Sequence, residues 1–153
     1  MNIAIANRQR VRKINLRLLK KITRELLAEL ELDKAGIGIC LVTAPEMTRL
    51  NETFLKHKGS TDVITFDHSD PSSQTPDPGP NIHGEIFICV DEAVLQARMF
   101  GTSWQSEVVR YLVHGVLHLL GFDDSRAGHR RKMKREENRR LREITRRFPL
   151  SKL

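Results

Sequence analysis

His114 and His118 stand four residues apart in the stretch His114-Gly-Val-Leu-His-Leu-Leu-Gly-Phe-Asp-Asp124. On an α-helix four residues turn through about 400°, so both imidazoles leave one face, one turn apart, and can meet at a single ion. Gly115 between them is an unfavourable mid-helix choice, on the order of 1 kcal/mol worse than alanine, and implies that something approaches the backbone closely there. Gly121 can take the left-handed conformation that turns a chain at a helix end, which would carry Asp123 and Asp124 back toward the histidine face. Either aspartate is a candidate third ligand. The apolar set Leu112, Val113, Val116, Leu117, Leu119 and Leu120 would anchor the rest of the helix in a core and hold the ligands rigidly.

Zinc suits these donors first, because catalytic zinc sites combine imidazole and carboxylate ligands and keep one position open for water. Water on such an ion ionises near pH 7, and the ion stabilises charge growing on an attacked phosphoryl or carbonyl oxygen, so the chemistry would be hydrolytic. A zinc peptidase of the His-Glu-x-x-His type needs glutamate immediately after its first histidine as general base. Here that position is Gly115, and the peptidase reading loses its main catalytic group.

Charge points to a different substrate. The chain of 153 residues carries a net charge of +7, but from Arg126 to Leu153 there are 12 Lys or Arg against 3 Glu, leaving the remainder slightly acidic. A basic excess concentrated on one element suits a polyanion, since each neutralised phosphate releases condensed counterions. The same pattern also suits a solvated helix face. A phosphodiester substrate accounts for both the paired histidines and the charge. Arg130, Arg131, Lys134, Arg135 and Arg139 are then the candidate contacts to the substrate's phosphates, and to RNA phosphates under the family resemblance given below. A reading of another class keeps these contacts and makes the metal structural, in a non-catalytic RNA-binding factor.

The elements that must position these residues form one domain, residues 1–153. Residues 2–6 suit an outer strand. Leu19, Ile22, Leu26 and Leu30 recur at helical spacing in a helix beginning near Leu16, with an apolar face to bury. Gly36–Val42 has the length and composition of a buried strand, and Thr43 with Pro45 opens a helix through Met47, Leu50, Phe54 and Leu55. Asp62–Phe66 and Glu85–Val90 are β-branched and aromatic strands. Residues 69–80 between them hold four of the six prolines and are expected to form a mobile loop. Asp91 is expected to cap a helix that Gly101 ends, Thr102 and Gln105 to form the capping box of the histidine helix, and a basic helix to run from about Arg126 to Arg146. Residues 148–153 are expected to be a loose tail. The sum is an α+β domain, a mixed sheet of about four strands packed with five or so helices.

The hydrophobic fraction of 39% and charged fraction of 29% are those of a water-soluble globular chain, with no run near the roughly 20 apolar residues a membrane helix needs. No membrane association is expected. The N-terminal apolar piece is too short for a signal peptide and is followed by its basic residues, so a cytoplasmic location is expected. Cys40 and Cys89 lie inside apolar strands, read as small buried thiols with no disulfide-linked partner.

Beyond these readings, His114-Gly-x-Leu-His118-Leu-x-Gly121-x-Asp123 resembles the signature of the YbeY family of metal-dependent endoribonucleases. Leu50-Asn51, Thr61-Asp62-Val63-Ile64-Thr65-Phe66, Gly84-Glu85-Ile86 and the Met133 to Leu141 stretch with Glu137 resemble the family's other landmarks, in order. The resemblance implies a zincin-like domain, one zinc ion, and cleavage of single-stranded RNA. It also implies a part in maturing the small-subunit ribosomal RNA and in ribosome quality control, with the small ribosomal subunit as partner. His114 and His118 would be ligands, His114 acting catalytically through the bound water. The third ligand falls on Asp124, where the family has histidine, with Asp123 as the fallback. A carboxylate there lowers the site's charge by one and hardens the ligand set, opening it to other divalent metals. The family's arginine after Leu-Asn falls on Leu55. Lys56 is the candidate to supply that catalytic charge and Lys58 to bind RNA, each as a point charge rather than a bidentate fork.

Overall fold

A computed structural model describes residues 1–69 and 81–153; the expected loop over 69–80 falls, apart from Ser69, outside the described residues. Four strands, β1 (Asn2–Asn7), β2 (Gly36–Val42), β3 (Val63–Asp67) and β4 (His83–Cys89), form one sheet in the order β1-β2-β4-β3. β1, β2 and β4 run parallel and β3 lies antiparallel to β4 at the edge. The helices are α1 (Leu16–Glu29), α2 (Ala44–Phe54), α3 (Val90–Phe100), α4 (Trp104–Leu119) and α5 (Ala127–Arg147). The mixed sheet and five helices are the α+β architecture expected.

β2 and β4 are apolar on both sides because both sheet faces are covered. Ile37, Ile39, Leu41, Ile86 and Ile88 join α1, α4 and α5 residues in the main core. Val42, Phe87 and Cys89 face the other way, onto Met47 of α2 and Ile64. α4 lies in the main core with ten buried residues, so its few accessible side chains are confined to one narrow face. Gly115 explains how α4 comes so close to the sheet. A Cβ there would stand 2.7 Å from Ile86 Cγ2, so the close approach implied by this glycine is that of a β4 side chain and not of a ligand.

Local capping signals are right in kind and displaced in position. Ser103, not Thr102, caps α4, accepting from Ser106 N at 3.1 Å, while Thr102 Oγ1 donates to Glu107 Oε1 at 2.8 Å. Asp91 does not cap α3, which starts at Val90; its Oδ2 accepts from Ala44 N at 2.6 Å and serves the start of α2. The carboxylate thus replaces Thr43, whose side chain makes no capping bond.

The C-terminal residues correct a further expectation. They are no loose tail: Leu150 and Leu153 are buried, Leu150–Lys152 form a 3₁₀ turn, and Leu153 O accepts from Asn15 N at 2.6 Å. Two leucines three residues apart bury against the core, and the basic residues around them disguise this in the sequence. No helix among the described residues is long and apolar enough to cross a membrane.

Candidate functional site

Glu107, Arg110, Tyr111, His114 and His118 stand three or four residues apart and therefore in line along α4, with Glu107 and Tyr111 buried, Arg110 and His114 half-buried and His118 exposed. α5 runs beside it and β3 begins nearby. At the end of α4, Gly121 takes φ +100° and Phe122 N donates to Leu117 O at 3.0 Å, the left-handed helix termination that returns the chain.

That return separates the two aspartates. Asp123 accepts from Ser125 Oγ at 2.6 Å and Ser125 N at 2.8 Å, and these bonds, with His129 nearby, lower its carboxyl to about 2. Its oxygens close a local turn. Asp124 instead has Oδ2 3.8 Å from His114 Nε2. The two imidazoles are nearly parallel, 6° apart in plane with ring centroids 6.4 Å apart. His118 is exposed and His114 half-buried.

Glu137, from α5, completes the setting: its Oε2 lies 2.7 Å from His114 Nδ1, with the carboxylate only 12% exposed. A carboxylate there fixes the tautomer with the proton on Nδ1 and leaves the Nε2 lone pair turned toward Asp124, the arrangement that orients an imidazole as a metal ligand. Burial disfavours a charged His114, but the Glu137 hydrogen bond and the charges of Glu137, Asp62 and Asp124 outweigh it and raise its pKa above the ordinary histidine value. Arg110 is braced against the same carboxylate, with Nη1 2.8 Å from Asn138 Oδ1 and 3.7 Å from Glu137 Oε1.

The donor set fits a divalent ion in chemistry and orientation: two imidazoles, one facing carboxylate and a second carboxylate behind the first ring. Among the described residues, however, no three His, Cys, Asp or Glu side chains already converge at metal-holding distance. His114 and Asp124 face each other, and His118 would have to swing in for all three to hold one ion.

The basic residues fall into two groups. Arg130, Arg131, Lys134 and Arg135 line one shallow groove on α5 with Asn138, and among the described residues they have no acidic partner. Arg139, by contrast, is paired with Glu136 at 3.4 Å. Lys56 and Lys58 lie exposed in the loop after α2. Lys56 takes φ +59°, and His57 N donates to Asn51 O at 3.2 Å, so Lys56 ends α2. No hydrogen bond or ion pair joins either lysine to His114, His118 or Asp124 among the described residues.

Sequence reasoning named Glu137 and Asn51 as family landmarks without giving either a role, and passed over Arg110. Met133, Glu137 and Ile144 share the inner face of α5 with Met133 and Ile144 buried, so a carboxylate on an otherwise apolar helix face was the available signal for the first. Asn51, 5% exposed, donates from Nδ2 to Gly59 O at 2.9 Å and ties down the loop before β3. Arg110 offered no distinguishing pattern.

A family model described as endoribonuclease YbeY matches residues 4–145. The endoribonuclease YbeY of Salinibacter ruber is 34% identical over 106 residues, covering 69% of this chain and 68% of that protein. That of Aquifex aeolicus is 32% identical over 142 residues, covering 93% and 86%. The Myxococcus xanthus protein of the same description is 41% identical over 110 residues, and the match spans 72% of this chain but 37% of that longer protein. The solution structure of a Thermotoga maritima protein superposes with a TM-score of 0.63 at 23% identity, covering 93% of this chain and 88% of that one, a likeness of fold alone.

Proposed function

The chain belongs to the endoribonuclease YbeY family, and from that premise we propose that it is a metal-dependent endoribonuclease cutting single-stranded RNA, acting in maturation of the small-subunit ribosomal RNA. The observation that carries the reading is the pair of contacts on one imidazole: Glu137 on His114 Nδ1 at 2.7 Å and Asp124 facing Nε2 at 3.8 Å. A histidine held by a buried carboxylate with its second nitrogen directed at another acid is organised for an ion. His118 and Asp124 are the other two ligands of the proposal. When bound, zinc supplies water that ionises near pH 7 and positive charge against an attacked phosphoryl oxygen.

The chain's own residues divide the remaining work. Glu137 keeps the proton on His114 Nδ1, so that Nε2 stays available as a donor. Arg110, held by Asn138, adds fixed positive charge one turn from His114 along α4. Arg130, Arg131, Lys134 and Arg135, unpaired among the described residues, grip flanking phosphates. Their groove supports an extended, sequence-tolerant strand, because such contacts position a backbone without reading bases. Asp124 in place of a third imidazole supports magnesium or manganese as alternatives to zinc.

Metal titration of the purified chain, together with cleavage of a labelled unstructured RNA, tests the reading. His114→Ala, His118→Ala and Asp124→Ala should each lose tight metal binding and, with it, cleavage. Unchanged cleavage in a His114→Ala protein free of metal would overturn it.

A further inference from the structure

Beside the histidines, extending along the same face of α4 to Glu107 about 10 Å away, lies a cavity of 370 Å³ whose wall includes Glu107, Arg110, Tyr111, Lys134, Asn138 and Phe100. That volume is within the range of about 300–1,000 Å³ common for small-ligand sites. Two side chains in its wall are nearly fully buried: Glu107 is 6% and Tyr111 4% exposed. The Tyr111 hydroxyl has no hydrogen-bond partner among the described residues, which is rare for a buried polar group. Phe100, by contrast, is 68% exposed, an unusual position for an aromatic ring on the rim of a polar cavity.

The lining combines acids with cations, and that combination restricts the ligand. A phosphate is disfavoured beside Glu107, Glu137 and Asp62, while an ammonium group alone is disfavoured beside the like charges of Arg110 and Lys134. Guanine meets both: N1–H and N2–H lie side by side and match a carboxylate, whereas O6 and N7 accept from arginine or lysine. Glu107 Oε1 accepts the Thr102 hydroxyl at 2.8 Å, and a carboxylate has about four lone-pair sites in all. Asn138 Oδ1 is taken by Arg110 at 2.8 Å, which leaves its amide hydrogens to donate. Phe100 offers a face on which an unstacked base can lie.

Resting on the reading of the chain as a ribonuclease, we propose that this cavity is a base-specific subsite that takes an unpaired guanine near the cleaved bond, with Glu107 reading its Watson–Crick edge. Glu137 forms part of both the cavity wall and the His114 contact, so the cavity adjoins the histidines closely enough for one strand to place a base here and a phosphate there. The subsite would give a backbone-gripping enzyme a preferred position along single-stranded RNA.

Binding to the metal-stripped 153-residue chain tests this without cleavage. The probes are five-nucleotide RNAs, four uridines around a central guanosine, adenosine, cytidine, uridine or inosine, followed by fluorescence anisotropy. Guanosine should bind about tenfold or more tighter than the other natural bases, and inosine, lacking the 2-amino group, should lose most of that advantage. Glu107→Gln, with its melting temperature checked, should erase the preference. Equal affinity for all five probes, or a guanosine preference intact in a folded Glu107→Gln, overturns the subsite. The inosine comparison uses wild type alone and decides the matter even if that variant fails to fold. Guanosine preference in a chain that cleaves no RNA when zinc is restored would remove the nuclease reading and keep the subsite; cleavage without preference would remove the subsite alone.

Discussion

Glu137 sets the behaviour of His114. Removing its carboxylate in Glu137→Ala should weaken zinc binding about 10- to 100-fold, as loss of a carboxylate behind a ligand imidazole does, measured by competition with a chromophoric chelator. The same contact predicts a pH dependence in metal-stripped protein. The folded pKa of His114 is raised, above an unfolded value of about 6.5. Its contribution to stability is therefore whole below about pH 6.5 and disappears as pH rises through the folded value. Wild type should lose melting temperature across that interval relative to Glu137→Ala; a wild-type advantage that grows with pH would contradict the assignment. Spacing made His114 and His118 legible in the sequence, because four residues on a helix fix direction. The partners Glu137 and Asp62 were not legible as partners, since 23 residues separate His114 from Glu137 and only the packing of α5 on α4 brings them together. Which aspartate faces His114 likewise turned on a local event, the capture of Asp123 by Ser125.

At the scale of elements, α4 presents a line of polar groups along one face because the rest of its surface packs against the sheet and the neighbouring helices, and Gly115 leaves the space that Ile86 of β4 fills. Gly115→Val should destabilise the fold by about 1–3 kcal/mol through overpacking against Ile86, read from urea unfolding; an unchanged midpoint would mean the helix sits farther from β4. Strands and helices were largely legible because their apolar runs have the length and period of the elements they form. Caps were legible only to within a residue or two. Thr102 and Ser103 are both competent caps, and the choice fell to Ser103 because Glu107 takes the Thr102 hydroxyl. Asp91 was a sound capping residue assigned to the wrong helix, since its target, the start of α2, lies 47 positions away in the chain.

Over the whole molecule, α5 divides its charge between structure and surface. Arg140 and Arg147 pair with Glu25 and Glu29 of α1, whereas Arg130, Arg131, Lys134 and Arg135 face outward without acidic partners among the described residues. Arg131→Ala with Lys134→Ala should therefore lower the slope of log affinity for single-stranded RNA against log salt by about 0.7 for each phosphate no longer gripped. Arg147→Ala should leave that slope unchanged and cost at most about 1 kcal/mol of stability, as exposed ion pairs do. The burial of Leu150 belongs to this scale as well: Leu150→Ala should destabilise by about 2–5 kcal/mol in a segment whose sequence suggested a free end. Metal dependence is the property on which the proposed nuclease stands or falls, and it is read from cleavage of a labelled, unstructured RNA by chelator-stripped protein before and after addition of one equivalent of zinc. Negligible cleavage is expected from the stripped protein, with recovery on the single equivalent and no recovery in His114→Ala. Cleavage by the stripped protein at the rate of the zinc-loaded one, or equal rates in His114→Ala and wild type, would contradict a metal-dependent nuclease.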